Sequence, residues 1–406
     1  MLELDFHPAG RHLLQIPGPS PVPSRILRAI SYPTIDHRGP EFGAIGRKVL
    51  DGIRLIFKTA QPVVIYPSSG TGAWEAALCN TLSPGDHVLM YETGHFATLW
   101  KRMAENLGLK PEFLGLPGIE GWRRGVQADL IEARLRKDVA NTIKAVCVVH
   151  NETSTGVTSN IEAVREAIDA AGHPALLFVD TISGLASADY RHDEWGVDVT
   201  ISGSQKGLML PPGLSFNAVS TKAVDASRHA TLPRAFWAWD EIMEMNAGGF
   251  WPYTPNTNLL YGLAEALEMI ENEGLSNVFA RHQRLAAACR AAVDAWGLEI
   301  QCTEPQSYSP VLTGVVMPDG IDADAVRQTI YERFNLSLGT GLGKLRGRMF
   351  RIGHLGDCND LALLAALSGC EMGLSLTGVR LAGSGVIAAM DLLANQTEIA
   401  SLKAVA

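Results

Sequence analysis

Cysteine is scarce in this sequence of 406 residues, and its six cysteines include no CxxC pair. Zinc sites and the disulfide frameworks of small secreted proteins both rely on closely patterned thiols. The sequence therefore predicts reduced thiols, and it contains no pattern that indicates a metal site or a disulfide framework.

Charged residues and long apolar runs are also limited. Charged residues make up 19% of the chain and the formal net charge is −9, whereas general binding of nucleic acid needs a basic face. No apolar run approaches the roughly 20 residues that span a bilayer, and the N-terminal residues lack the apolar region of a signal peptide. We therefore expect a cytoplasmic protein that acts on small molecules, with neither nucleic acid nor membrane as a partner.

Short apolar strands alternate with amphipathic helices over most of the chain. Such alternation is typical of an α/β fold, in which helices cover both faces of a mostly parallel sheet. The predicted strands of this sheet are Gln61–Tyr66, His87–Glu92, Lys144–Val149, Ala175–Val179, Val197–Ile201 and Ser215–Ser220. The predicted helices around them are Ser24–Ser31, Glu41–Lys58, Ala73–Leu82, Ala97–Gly108 and Ile161–Ala171.

A long helical stretch follows the predicted sheet, from about residue 258 to residue 295, with a break at Gly274. The order of elements beyond it predicts a smaller α+β domain. Its predicted elements are Val311–Met317, Ala323–Phe334, Arg348–Ile352 and a final helix, Leu361–Met372. We therefore predict a large domain of residues 17–257, preceded by an extended segment of residues 1–16, and a second domain of residues 258–406.

Lys206 lies in the stretch Val199–Leu214, VTISGSQKGLMLPPGL, where a β-branched strand runs into small polar residues and a Pro-Pro-Gly turn. A lysine at the end of a buried strand is suited to Schiff-base chemistry with a carbonyl compound, provided that its surroundings favour the neutral amine. On this stretch alone, a solvated lysine on a surface loop is the alternative.

The loop Ser68–Gly72 (SSGTG) and Asp180 both follow predicted strands. Backbone N–H groups at a helix N-terminus bind anions, and glycine lets a phosphate approach closely, although a plain glycine turn before a capped helix is the alternative. Asp180 would pair with a protonated heteroaromatic nitrogen or cap the next helix. The interval from Asp180 to Lys206 leaves room for one helix and one strand, which would place both side chains at neighbouring strand ends.

Four further side chains are candidates for binding or catalysis. Phe96 would stack on a flat ring or belong to the core, and His95 and His150 are either bases or ordinary loop histidines. Arg351 lies inside an apolar strand, where its guanidinium would bind a substrate carboxylate or an internal acid. An anion loop, a stacking aromatic, an acid, a lysine and an arginine are the groups required by pyridoxal 5′-phosphate (PLP) and an amino-acid substrate.

Several motifs resemble those of the class V, fold-type I aminotransferases, and most closely their serine–glyoxylate and alanine–glyoxylate branch. The resemblance extends from Pro17 to Asp357. The motifs that carry it are PGPS, SSGTGAWEAA, HNETSTGV, VDTISGL, SGSQKGL, GFWPYTP and RIGHLG. It implies a fold-type I PLP-dependent transferase, with a mostly parallel seven-stranded sheet in the large domain and a smaller C-terminal α+β domain.

The resemblance also assigns roles to individual residues. It makes Lys206 the lysine that binds PLP covalently, and Asp180 the partner of the pyridine nitrogen. Arg351 would hold the substrate carboxylate, with Gly18 also at the substrate. The remaining cofactor contacts that it implies are Gly70, Thr71, Gly72, Phe96, Thr153, Ser204 and Gln205, joined by Tyr253 and Thr254 from the dimer partner.

The reaction implied by the resemblance is transamination of glyoxylate to glycine by a small L-amino acid, with serine as the first choice of donor and alanine as the second. The 2-oxo product would be hydroxypyruvate or pyruvate. L-aspartate is an alternative donor, and a cysteine desulfurase-like lyase is the alternative from another reaction class. The loop before Arg351, Ser337–Gly347, contains no cysteine for that chemistry. A homodimer or a dimer of dimers is also implied.

Overall fold

The computed structural model describes residues 10–400, and the side chains as far as residue 395. Residues 1–9 of the predicted extended segment and the last six residues lie outside this description. The chain divides into two compact units. Unit 1 contains the described parts of Met1–Pro21, Arg281–Gln301 and Pro310–Ala406, and unit 2 contains Val22–Ala280 and Cys302–Ser309.

The strands of both units are short. In chain order they are β1 (Leu13–Gln15), β2 (Val63–Tyr66), β3 (His87–Tyr91), β4 (Lys110–Leu114), β5 (Ile143–Val149), β6 (Asn151–Glu152), β7 (Val157–Thr158), β8 (Leu176–Asp180), β9 (Val199–Gly203), β10 (Ser215–Val219), β11 (Glu299–Ile300), β12 (Leu312–Val316), β13 (Leu336–Thr340) and β14 (Met349–Gly353).

The α-helices vary in length from two to six turns. In chain order they are α1 (Ser24–Ile30), α2 (Pro40–Phe57), α3 (Gly70–Thr81), α4 (His95–Asn106), α5 (Ala128–Lys137), α6 (Ile161–Ala170), α7 (Thr221–Ser227), α8 (Trp239–Asn246), α9 (Thr257–Glu273), α10 (Leu275–Trp296), α11 (Ala323–Phe334), α12 (Asp360–Leu376) and α13 (Gly385–Ala400). Among the described residues, no helix combines the length and the apolar character needed to cross a membrane.

Unit 2 is built on a seven-stranded sheet with the strand order β2-β10-β9-β8-β5-β3-β4. Only β10 runs antiparallel to its neighbours, so the other six strands point in one direction. Residues of β2, β8, β9 and β10 are buried throughout, as expected for strands covered by helices on both faces. The predicted α/β class and mostly parallel seven-stranded sheet are therefore confirmed.

Unit 1 contains a five-stranded sheet with the order β1-β13-β14-β12-β11. Strand β1 pairs in parallel with β13, which explains why the extended N-terminal residues belong to this unit. The division between the units falls within helix α10 and thus differs from the predicted boundary after residue 257. An apolar helical pattern continues through such a boundary, so the sequence offers no local signal for it.

Helix α10 is separated from α9 at Gly274, as predicted. This residue has φ 82°, a conformation that residues with a side chain rarely adopt. Its backbone N–H still has acceptors, because it donates to the carbonyl oxygens of Ile270 and Glu271. The bend therefore ends one helix and starts the next within a single residue.

Several observed elements differ from the predicted ones. Turns rather than a helix connect β8 with β9, because residues 181–198 lack a helical apolar period. Part of the predicted loop Ser337–Gly347 is strand β13, in which Gly339 is needed because a Cβ there would lie 2.8 Å from Pro17 Cδ. The predicted final helix Leu361–Met372 is followed by another helix, α13. The other unpredicted elements include β4, α5, α7 and α8.

Helix α2 gives a direct test of the packing in unit 2. A Cβ at Gly46 would lie 2.0 Å from the Gly249 carbonyl oxygen, whereas a Cβ at Gly52 would meet only the side chain of Leu267, at 3.0 Å. We expect Gly46→Ala to lower the free energy of unfolding by about 1–3 kcal/mol, because a backbone oxygen must move.

The control is Gly52→Ala in the same helix. We expect the higher helix propensity of alanine to raise the free energy of unfolding by up to about 1 kcal/mol, because the side chain of Leu267 is free to adjust. Thermal unfolding midpoints of the two variants measure the difference. Equal midpoints would show that the close contact between Gly46 and Gly249 does not constrain the fold.

Candidate active site

Unit 2 contains a cavity of about 240 Å³ at the carboxyl edge of its sheet. Five strands that point in the same direction, β2, β3, β5, β8 and β9, end at this edge. This is where open α/β sheets bind their ligands. The lining residues come from the last residues of these strands and from the segments that follow them: Ser69, Gly70, Thr71, Trp74, Phe96, Val149, Asn151, Thr153, Asp180, Ile182, Gln205 and Lys206.

Most of the predicted cofactor residues meet in this cavity, although they come from distant parts of the chain. The predicted residues in its lining are Gly70, Thr71, Phe96, Thr153, Asp180, Gln205 and Lys206. Gly72 and Ser204 are not part of the lining. The Ser204 hydroxyl is used inside its own loop, where it donates to Pro211 O at 2.8 Å and accepts from Leu214 N at 3.1 Å.

Lys206 follows β9 by three residues and is only 8% exposed. The loop that carries it packs closely, because a Cβ at Gly207 would lie 2.2 Å from Leu185 O. The next turn is held by a hydrogen bond from Met209 N to Lys206 O. The lysine is therefore fixed at the cavity by its backbone and is not a solvated surface residue.

Asp180 ends β8, next to β9, so the predicted placement of Asp180 and Lys206 at neighbouring strand ends is confirmed. Asp180 Oδ1 accepts from Ile182 N at 2.7 Å, and Oδ2 accepts from the Trp74 indole Nε1 at 2.9 Å. Burial raises the pKa of Asp180 to about 7, although these two hydrogen bonds and the charge of Lys206 act in the opposite direction. A cationic group in the cavity would therefore stabilise the carboxylate.

The glycine-rich loop leads directly into α3, which begins at Gly70 and not at the predicted Ala73. The first N–H groups of a helix have no acceptor within the helix, and the first turn of α3 contains no acidic residue that would compete for them. A Cβ at Gly70 would lie 2.3 Å from Ile182 Cδ1. Glycine at this position lets the start of the helix lie against the cavity wall, where the backbone can bind an anion.

Glu152 organises the opposite wall, and sequence patterns did not indicate it. Its carboxylate is fully buried and accepts from Phe96 N at 3.3 Å and Ala97 N at 3.2 Å, at the start of α4. It also accepts from the Ser154 hydroxyl at 2.6 Å. Because Thr153 lies between Glu152 and Ser154, these bonds tie the two predicted cofactor contacts Phe96 and Thr153 to each other.

The donors and acceptors of the cavity suit PLP. Helix N–H groups and hydroxyls suit a phosphate, Phe96 suits an aromatic ring, and Asp180 and Lys206 suit a basic ring nitrogen and an aldehyde. Gln205 also lines the cavity, and its Oε1 is buried and accepts no hydrogen bond within the described part of the chain. A bound ligand with a hydrogen-bond donor would satisfy this oxygen.

The two candidate histidines do not line the cavity. His150 is buried and packs on Tyr190 and Trp195, with ring centroids 5.3 Å and 6.2 Å away. Burial lowers its pKa to about 4, so it is neutral near pH 7. His95 contributes its backbone N–H to the Ser154 hydroxyl at 2.8 Å. Both residues therefore have structural surroundings that account for them.

The remaining predicted site residues are not among those that line this cavity. Arg351 and Gly18 belong to unit 1, where Arg351 is 6% exposed and its Nε donates to Thr340 O at 2.8 Å. Tyr253 and Thr254 belong to unit 2 but are not in the cavity lining. Tyr253 stacks on Phe236 with ring centroids 4.5 Å apart, and Thr254 is exposed.

The raised pKa of Asp180 predicts a pH dependence of stability in the cofactor-free protein. The pKa of Asp180 is about 7 in the folded protein, compared with an ordinary value of 3.8 for an aspartate. Its contribution to stability is therefore complete below pH 4 and is lost as the pH rises through 7. We therefore expect the unfolding midpoint of Asp180→Asn, taken relative to that of the wild type, to be higher at pH 8 than at pH 5.

Thermal unfolding of both proteins at the two pH values measures this difference. The nearby charges of Glu152 and Lys206 are present in both proteins, so the comparison isolates the Asp180 carboxylate. A difference in midpoint that does not change with pH would contradict the assignment of a raised pKa to Asp180.

Comparison with known proteins identifies the family. The model of the family "Aminotransferase class-V" matches residues 23–344. The serine–glyoxylate aminotransferase of Methylorubrum extorquens is 46% identical over 391 residues, which cover 95% of this chain and 96% of that protein. The L-aspartate–glyoxylate aminotransferase of Paracoccus denitrificans is 45% identical, with coverage of 96% of this chain and 98% of that protein.

A solved structure shows the same fold. The ureidoglycine–glyoxylate aminotransferase from Bacillus subtilis superposes with a TM-score of 0.87 and 27% identity, covering 96% of this chain and 100% of that one. The family match covers most of the sequence, including every residue that lines the cavity. The chain therefore belongs to the class V aminotransferases, a family of PLP-dependent enzymes of fold type I.

Proposed function

We propose that this protein transfers the amino group of a small L-amino acid to glyoxylate, forming glycine and a 2-oxo acid. Serine is the preferred donor in this proposal, with hydroxypyruvate as the product, and alanine is the second choice. The meeting of Lys206 and Asp180 in one cavity supports the chemistry. The 46% identity to a serine–glyoxylate aminotransferase over nearly the whole chain supports the substrates.

Lys206 is the proposed catalytic residue. When bound, PLP supplies an aldehyde that bonds to amines and a ring that withdraws electrons from the substrate Cα. Lys206 Nζ would hold the cofactor through a covalent bond to its aldehyde carbon. When that bond is released, the amine of Lys206 would move the substrate Cα proton, acting as a general base and afterwards as a general acid. Its low exposure keeps bulk water from competing for this proton.

The other cavity residues hold and tune the cofactor in this proposal. Asp180 would keep the ring nitrogen protonated, and Phe96 would stack on the ring. The Thr153 hydroxyl would contact the ring oxygen. The phosphate is bound by the loop residues Gly70, Thr71 and Gly72, with Ser204 and Gln205 as further donors. Both donors of Ser204 bond within its own loop, because its hydroxyl donates to Pro211 O at 2.8 Å and its backbone N–H donates to Leu214 O at 3.0 Å. A contact from Ser204 to the phosphate would therefore require one of these bonds to open.

The substrate and the partner subunit complete the proposed site. Arg351 holds the substrate carboxylate with its guanidinium, and Gly18 lies beside the substrate. We further propose a homodimer, or a dimer of dimers, in which Tyr253 and Thr254 of one subunit act in the site of the other. The exposure of Thr254 leaves it available to a partner.

L-aspartate is the second candidate donor. The relative named L-aspartate–glyoxylate aminotransferase is 45% identical, so overall similarity separates the two donors by only one percentage point. Aspartate carries a second carboxylate, which requires a further cation or hydrogen-bond donor in the site. Serine and alanine have no such requirement.

A cysteine desulfurase-like reaction is disfavoured. That chemistry needs a reactive, accessible thiolate, and all six cysteines of the chain are buried. Burial raises the thiol pKa of five of them, Cys79, Cys147, Cys289, Cys358 and Cys370. Thiols of this kind are protonated near neutral pH and are poor nucleophiles.

A donor panel tests the proposed function. Purified protein with PLP is incubated with glyoxylate and serine, alanine, aspartate or glutamate, and glycine is measured as the product. We expect the highest kcat/KM with serine, followed by alanine. The fastest turnover with aspartate would favour the second candidate, and no glycine from any donor would refute the proposal. Cysteine incubated alone serves as the control for sulfur release, which we do not expect.

A further inference from the structure

Two tryptophans stack beside the cavity but differ in one respect. The rings of Trp74, on α3, and Trp100, on α4, lie 5.8 Å apart with an angle of 12° between their planes. Both side chains are buried. The Trp74 Nε1–H donates to Asp180 Oδ2 at 2.9 Å, whereas Trp100 Nε1 is buried and has no hydrogen-bond partner within the described residues. The two tryptophans therefore pack in the same way, but only Trp74 makes a hydrogen bond to Asp180.

The bond from Trp74 fixes the orientation of the Asp180 carboxylate. An indole N–H can only donate, and Ile182 N donates to the other oxygen at 2.7 Å. One donor on each oxygen prevents the carboxylate from rotating. Each oxygen retains lone pairs for a further donor, and Asp180 still lines the cavity. Both donors also favour the ionised form of the acid.

Helix α3 links this bond to the glycine-rich loop. Trp74 lies one turn after Gly70, and both residues line the cavity. The helix that presents backbone N–H groups to the cavity at its start thus also holds the acid at the end of β8. A substitution of Trp74 would therefore remove a hydrogen bond from Asp180 and would leave the backbone N–H groups at the start of α3 in place.

We propose that Trp74 is a positioning residue for the cofactor ring: its indole N–H holds the Asp180 carboxylate ionised and oriented toward a protonated ring nitrogen. This inference rests on the proposed role of Asp180. It assigns to Trp74 a function beyond packing, because a residue that only filled space would not require the indole nitrogen.

The test compares Trp74→Phe with Trp100→Phe. Each variant removes one indole from the same stack, and only the first removes a bond to Asp180. The dissociation constants of cofactor-free protein are measured for PLP and for 1-deazapyridoxal 5′-phosphate, in which carbon replaces the ring nitrogen. We expect Trp74→Phe to weaken PLP binding by roughly 10-fold or more, as for loss of a hydrogen bond to a charged group.

The analogue separates positioning from packing. Binding of the deaza analogue does not use the ring nitrogen, so we expect Trp74→Phe to change its affinity by about 2-fold at most, within ordinary packing effects. Trp100→Phe should affect both ligands equally. An equal loss for both ligands in Trp74→Phe would overturn the proposal. If Trp74→Phe does not fold, Trp74→His and Trp74→Leu make the same comparison, and only the imidazole, which keeps an N–H donor, should retain the preference for PLP.

The wild-type protein distinguishes this proposal from the proposed function. A wild type that binds PLP and the deaza analogue equally well would refute the role of Asp180 at the ring nitrogen, and the role of Trp74 with it. A wild type that binds neither would refute PLP dependence itself. Discrimination by the wild type that persists unchanged in Trp74→Phe would refute Trp74 alone.

Discussion

The buried carboxylate of Asp180 is the constraint on which the site depends. A carboxylate without partners is costly to bury, and here two N–H donors, from Ile182 and Trp74, offset part of that cost. The pKa of Asp180 is still raised, so the folded protein stabilises the charged form of this acid incompletely. A cationic ligand that reaches the cavity would complete the stabilisation. The electrostatics of this site thus favour a protonated heteroaromatic ring.

The parallel strands of unit 2 bring the other groups of the site to the same edge of the sheet as Asp180. Because β8 and β9 are parallel neighbours, Asp180 and the loop that carries Lys206 leave the sheet at the same edge. Segments after β2, β3 and β5 reach that edge as well, so an anion-binding helix start, an aromatic ring and a hydroxyl meet there. Residues more than one hundred positions apart therefore line one cavity.

The sequence was sufficient to predict the architecture and most of the cavity. Apolar strands ending in polar or small residues marked Lys206, Asp180 and the loop before α3, and the rule that ligands bind at carboxyl strand ends brought them together. Boundaries of elements were less accurate. Strand β4 lies at the sheet edge, is only partly buried and contains a proline, so it lacks the apolar run of a central strand.

Trp74 and Glu152 show what sequence patterns could not reveal. Both make hydrogen bonds to residues far along the chain: Trp74 and Asp180 are 106 positions apart, and Glu152 and Ala97 are 55 positions apart. From sequence alone, a tryptophan near the start of a helix is predicted to belong to the core, and a glutamate in a polar loop is predicted to be exposed to solvent. Only the tertiary structure shows that the Trp74 indole donates to Asp180 and that the Glu152 carboxylate accepts from the start of α4.

The central claim is that Lys206 is the residue that binds PLP covalently. Borohydride treatment of the PLP-loaded protein, followed by mass mapping of its peptides, tests it most directly. The account predicts a phosphopyridoxyl group on the peptide that contains Lys206, present in a Lys48→Ala control and absent from Lys206→Ala. A label on another lysine, or no label on a protein that forms glycine from glyoxylate, would contradict the account.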